Sequence, residues 1–171
     1  MKHAVRAIAL FCLVLLSPSC GEPTNPQPAA PNASLIGSLL GPTGLLSCSD
    51  LPYASSTQTI GTAGGSISAG PHTLLIPPGA LTQPTVITMT VPTGLHVNAV
   101  KFQPEGLRFL APAALTMSYS NCSLLGNLLP KRIAYTDNNL NILYYILSLD
   151  NLLSNKVTGK VSHFSDYVVA W

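Results

Sequence analysis

At 171 residues, with 47% hydrophobic and only 8% charged side chains, the chain has enough apolar surface for one buried core and too little charge for an ordinary cytosolic domain. Lys2 and Arg6 are two of the eight basic residues behind the formal net charge of +2, so from Cys20 onward six basic residues balance six acidic ones. A neutral chain argues against a nucleic-acid binder, which needs a concentrated basic face; the basic doublet Lys131-Arg132 reads as solvated charge at the start of a strand.

Residues 1–19 form a targeting segment that ends at Cys20. Lys2, His3 and Arg6 make a positive start, Ala7 to Leu16 is an unbroken apolar run, and Ser17-Pro18-Ser19-Cys20 closes it with small residues and a thiol. The run covers about half of what a bilayer crossing needs, so a cleavable signal is expected. Its ending resembles the lipobox of bacterial lipoproteins, although Ser17 stands where leucine is usual. The resemblance implies that Cys20 carries a diacylglyceryl group as the first mature residue, and Gly21 after it resembles the outer-membrane sorting pattern. The alternative is an ordinary signal peptide cut near Ser19 and a secreted product.

Residues 20–54 read as a tether. Pro23, Pro26, Pro28 and Pro31 recur without hydrophobic periodicity, which favours extended, solvated backbone. Leu35, Ile36, Leu39, Leu40, Leu45 and Leu46 are too apolar for a pure linker, and their spacing favours a helical turn. Cys12 leaves with the signal and Cys20 is the lipidation candidate, leaving Cys48 and Cys122, the number one disulfide needs in an oxidising compartment. Zinc is the other use for such a pair, but no CxxC or HxxxH spacing accompanies them.

Residues 55–171 are expected to be an antiparallel β-sandwich. Ile60 to Leu81 reads as a hairpin with glycine turns, a buried strand at Leu74 to Ile76, and Pro77-Pro78-Gly79 as its stop. In Thr85 to Val91 the apolar side chains Ile87, Met89 and Val91 alternate with polar ones, and Leu115, Met117 and Tyr119 repeat the pattern. Ile133 with Tyr135, Val157 with Val161, and Tyr167, Val169 and Trp171 continue it, while Ile142 to Leu149 reads as one strand by its aromatic and β-branched content. Pro92-Thr93-Gly94, Pro104-Glu105-Gly106, Gly126-Asn127, Asp137-Asn138-Asn139 and Asp150-Asn151 supply the turns of an all-β sandwich.

Ile60-Gly61 with Gly64-Gly65, then Leu75-Ile76-Pro77-Pro78-Gly79-Ala80-Leu81, then Phe102-Gln103-Pro104-Glu105-Gly106-Leu107, and finally His163-Phe164-Ser165 together resemble the ZU-five domain. That β-sandwich module occurs in zonula occludens, netrin-receptor and ankyrin proteins and has relatives in bacterial exported proteins. The resemblance implies a binding or scaffold module without small-molecule chemistry. Some members of the fold class cut themselves at a His-Phe-Ser turn. Carried onto this chain, Ser165 Oγ would attack the Phe164 carbonyl carbon while His163 takes the hydroxyl proton and later protonates the leaving nitrogen. The ester would then be hydrolysed, leaving residues 165–171 as a separate heptapeptide able to stay paired in the sheet as a strand. The other reading of the same tripeptide is a turn held by hydrogen bonds around a buried Phe164.

No GxSxG elbow or phosphate-cradling loop is present. Glu105 is the sandwich's lone glutamate, and Asp50, Asp137, Asp150 and Asp166 are scattered through turns, so no paired-carboxylate site is expected. His72 and His96 read as isolated surface or turn histidines, and Asp137-Asn138-Asn139 as a turn rather than a calcium loop. The sequence therefore anticipates no cofactor, no metal and no nucleic acid. It anticipates a noncatalytic lipoprotein of the cell envelope, held at the outer membrane, whose loops bind an envelope protein or polysaccharide; self-processing at Phe164-Ser165 is the alternative.

Overall fold

The computed structural model describes residues 44–124 and 129–171. The targeting segment, Cys20, the tether as far as Thr43 and the Gly126-Asn127 turn lie outside the described residues. The described residues form eleven strands: β1 (Ala54–Ile60), β2 (Gly65–Ala69), β3 (His72–Ile76), β4 (Thr85–Val91), β5 (Ala99–Gln103), β6 (Arg108–Ser118), β7 (Arg132–Thr136), β8 (Ile142–Ile146), β9 (Ser148–Asn151), β10 (Lys156–His163) and β11 (Asp166–Ala170).

They make two antiparallel sheets, one of six strands in the order β1-β4-β5-β11-β7-β8 and one of five in the order β2-β3-β6-β10-β9. Period-two alternation drives the assembly. In β4, Ile87, Met89 and Val91 are buried, while Thr88 and Thr90 face outward and hydrogen-bond to Thr57 and Ser55 across the pair. Leu115 and Met117 of β6 and Val157 and Val161 of β10 supply the opposing layer. Full burial contributes about 1.5–3 kcal/mol for each large aliphatic side chain, so the two inner faces hold each other.

The β2–β3 hairpin turns at Gly70-Pro71. Ahead of it the chain doubles back at Gly64, whose φ is 75° and where an added Cβ would lie 2.4 Å from the Ile76 carbonyl oxygen. Only glycine fits there without moving backbone. The core reaches back past Ser55: Leu45 bridges Ala170 as extended backbone rather than as a helical turn, and Leu45, Leu46 and Cys48 are buried. Cys48 and Cys122 are joined in a disulfide, tying this entering segment to the loop after β6.

Four further sequence expectations need correction. Ile142 to Leu149 is two strands, because the chain leaves the six-stranded sheet at Leu147 and continues in the other sheet as β9. Leu75 points outward, since β3 alternates between His72, Leu74 and Ile76 inside and Thr73 and Leu75 outside. His72 is completely buried: its Nδ1 accepts the Ser118 N–H at 3.1 Å, and burial lowers its pKa to about 4. Lys131 is also buried; its N–H donates to Asp150 Oδ2 and its Nζ to the Leu129 carbonyl. Burial pushes the lysine pKa down against the pull of Asp150, whose other oxygen accepts the Tyr119 hydroxyl at 2.6 Å. Arg132 alone has the surface position anticipated for the doublet, with its guanidinium over the Tyr145 ring.

Candidate functional site

The tripeptide His163-Phe164-Ser165 occupies the corner where the chain passes from one sheet to the other. His163 ends β10 in the five-stranded sheet, and β11 begins at Asp166 in the six-stranded one. A side chain at such a corner can lie between both layers, and Phe164 does. It is buried, stacked on Phe102 with ring centroids 4.6 Å apart and edge-on to Phe109 at 5.1 Å.

The Pro104-Glu105-Gly106-Leu107 turn clamps the backbone of this corner. The Phe164 N–H donates to the Leu107 carbonyl at 2.8 Å, and the Gly106 N–H donates to the Phe164 carbonyl at 3.2 Å. Gly106 has a φ of 74°, which suits glycine. Two stretches far apart in sequence thus meet as one hydrogen-bonded unit. Tyr167 Oη completes it by donating to the His163 carbonyl at 2.6 Å; burial, with Tyr135 beside it, raises the Tyr167 pKa above the ordinary tyrosine range.

The side chains named for chemistry are oriented differently. The His163 ring packs edge-on against Tyr135 at 5.5 Å, and its Nδ1 lies 3.5 Å from Ser162 Oγ. No hydrogen bond joins it to the partly exposed Ser165, whereas a serine activated by a neighbouring base needs contact within about 3.2 Å, a distance that often closes only as the reaction proceeds. None of the three residues has a positive φ. The Phe164 carbonyl nevertheless has a backbone donor in Gly106, the arrangement that stabilises charge on a carbonyl oxygen.

Beside this corner the two sheets part. β9 pairs only with Lys156 to Gly159, so Lys160 to His163 have β6 on one side and an open cleft on the other. β8 of the opposite sheet forms the facing wall. Ile146 seats over Gly159, where an added Cβ would lie 2.5 Å from its Cδ1. Beyond that seat opens a cleft of about 290 Å³ lined by Tyr135, Tyr144, Leu147, Lys160, His163 and Tyr167, among others. Aromatic faces with one cation and one imidazole suit an apolar or sugar-like group with a polar tip.

Motif reasoning found His163 but missed the tyrosines. The alternation of Ile133 with Tyr135 and the Tyr144-Tyr145 pair were visible, but their convergence depends on which strand joins which sheet. The cleft continues into an exposed apolar edge. Leu143 stands out at a bulge in the β7–β8 register, Tyr144 is 63% exposed and Leu147 84%, and Leu149, Leu152 and Leu153 extend the strip along β9 and its following turn.

The polar end of the sandwich near the disulfide is built differently. Asn98 and Asn121 exchange amide hydrogen bonds of 2.7 and 2.9 Å and also donate to the Ser118 and Ser49 carbonyls. His96 Nδ1 lies 3.4 Å from Asp50. These side chains hold the entering segment in place. Among the described residues, no group of three or more His, Cys, Asp or Glu side chains comes together. No known protein family matches the chain, and a search of curated proteins found no relative.

Proposed function

We propose that this chain is a noncatalytic binding module of the cell envelope, a ZU-five-like sandwich held by lipid on Cys20, whose partner is an envelope protein or polysaccharide. The observation that carries the reading is the exposed edge of Leu143, Tyr144 and Leu147 beside the tyrosine cleft. Soluble domains rarely leave so many large apolar side chains contiguous and uncovered, and such patches mark interaction surfaces. An edge strand such as β8 also has unpaired backbone groups, and its bulge at Leu143 is a device that discourages indiscriminate pairing. Recognition therefore falls on the β8 side of the sandwich rather than on the turns at large.

A photo-crosslinking residue at Tyr144 tests this in intact envelopes, with one at Thr59 on the opposite edge strand as control. A discrete adduct from position 144 and none from position 59 is expected. Equal adducts from both positions, or none from 144, overturn the assignment.

The Gly106 donor on the Phe164 carbonyl favours a second reading, self-cleavage at Phe164-Ser165. Intact mass separates the two: a fragment ending at Phe164 that disappears in Ser165→Ala establishes the cut, and a single uncut species in both leaves a structural corner.

A further inference from the structure

The two outer faces of the sandwich differ in kind. Around β1, β4 and β5, the outer face of the six-stranded sheet carries Ser55, Thr57, Thr88, Thr90 and Gln103, with Lys101 paired to Asp166. Apart from the exposed Val86 it is polar, and its charges pair. On the outer face of the five-stranded sheet, Leu75 lies opposite Ala114 and Ala114 opposite Lys160, while Thr73, Thr116, Thr158 and Leu149 form the next row. Leu75 is 54% exposed, Leu110 74% and Leu149 78%, and Lys156, Lys160 and Arg108 are exposed among them.

Among the described residues, no carboxylate shares that face. Asp150 of β9 turns inward to Tyr119 and Lys131, Asp166 pairs on the other sheet, Asp50 sits by His96, Asp137 closes its own turn with Asn139 and Asn141, and Glu105 lies in the β5–β6 turn. Leucines interleaved with unopposed cations, with hydroxyls between them, match an anionic bilayer interface. There the apolar side chains enter the acyl boundary and the cations meet headgroup phosphates.

We infer that the outer face of the five-stranded sheet docks on anionic lipid, laying the sandwich flat on the membrane with the tyrosine cleft opening at its rim. This inference rests on the membrane attachment proposed above. The chain between Cys20 and Gly44 spans at most about 85 Å, so an anchor at Cys20 keeps the face near the bilayer, where a weak surface affinity suffices.

The full chain with Trp171→Phe, carrying either Leu149→Trp or Thr57→Trp, is mixed with vesicles of phosphatidylcholine alone or with phosphatidylglycerol at 7:3. Brominated lipid then reports which face meets the bilayer, and flotation reports attachment. With phosphatidylglycerol, tryptophan at 149 is quenched several-fold more than tryptophan at 57, and Lys156→Glu with Lys160→Glu brings it down to the position-57 level without altering flotation. Flotation with equal quenching at both positions overturns the docking and leaves the anchor standing. Failure to float overturns both. Equal quenching of position 149 on phosphatidylcholine alone, or its shielding by an acidic polysaccharide in place of lipid, overturns the anionic-lipid assignment.

Discussion

His72 makes the fold sensitive to mild acid. Its ring is completely buried at the start of β3, with Nδ1 accepting the Ser118 N–H and Nε2 without a hydrogen-bond partner. The accepting nitrogen carries no proton, so the neutral ring has its hydrogen on Nε2. Protonation would place a hydrogen on Nδ1 facing the Ser118 donor and a charge among apolar side chains, which is why burial lowers the pKa from 6.5 to about 4. A folded-state pKa below the unfolded one means that the unfolded chain binds the proton first. Stability is therefore fully present above pH 6.5 and lost as pH falls towards 4. Integrating between these pKa values gives a loss of about 2 kcal/mol from pH 7.5 to 5 and about 3 kcal/mol once pH is below 4.

The informative substitution is His72→Asn, which offers an acceptor near the position of Nδ1 and does not titrate in this range. Urea unfolding followed by circular dichroism from pH 7.5 to 5 reads the difference. The variant starts less stable because it fills less space, and the gap between wild type and variant narrows by about 2 kcal/mol as pH falls. His72→Phe is the control: it fills the volume, orphans the Ser118 N–H and shows the same narrowing. If the gap stays constant across this range, the ring is charged or solvated in the folded protein and the reasoning is wrong.

Other consequences are local. Gly64→Ala should cost about 3 kcal/mol or more in unfolding free energy, because a positive φ and a collision with the Ile76 carbonyl act together; a variant as stable as wild type contradicts the turn geometry. Replacing both Cys48 and Cys122 by serine releases a link across 74 positions and should cost about 4 kcal/mol by the loop-entropy relation, measured against wild type under nonreducing conditions. Tyr119→Phe removes the hydroxyl from Asp150 and should cost about 2 kcal/mol, whereas Tyr144→Phe on the exposed edge should leave urea stability within about 0.5 kcal/mol.

How much of this was legible depends on the range of the interaction. Thr85 to Val91 forms β4 over the span its alternation marks, because which face of a strand is buried is written residue by residue. The Asp137 turn is equally local: its carboxylate accepts the N–H groups of Asn139 and Asn141. The disulfide was readable because two cysteines remained once the N-terminal pair was assigned. His72 and Lys131 were misread because a polar residue type says nothing about distant partners, and Ser118, Asp150 and Leu129 supply the contacts that let them be buried. The division at Leu147 was hidden for a related reason, since Ile142 to Leu149 is apolar except for Ser148, and no glycine, proline, asparagine or aspartate marks the change of sheet. The tyrosine cleft exists only once β9 stops short of Lys160, and no local pattern encodes that.

Attachment to a membrane through Cys20 underlies both the proposed function and the lipid-facing sheet. Metabolic labelling with a palmitate analogue, followed by membrane fractionation of wild type and Cys20→Ala, tests it most directly. Label incorporated into a membrane-bound wild-type protein and absent from the alanine variant is the predicted result. An unlabelled wild-type protein recovered in the soluble fraction would contradict it.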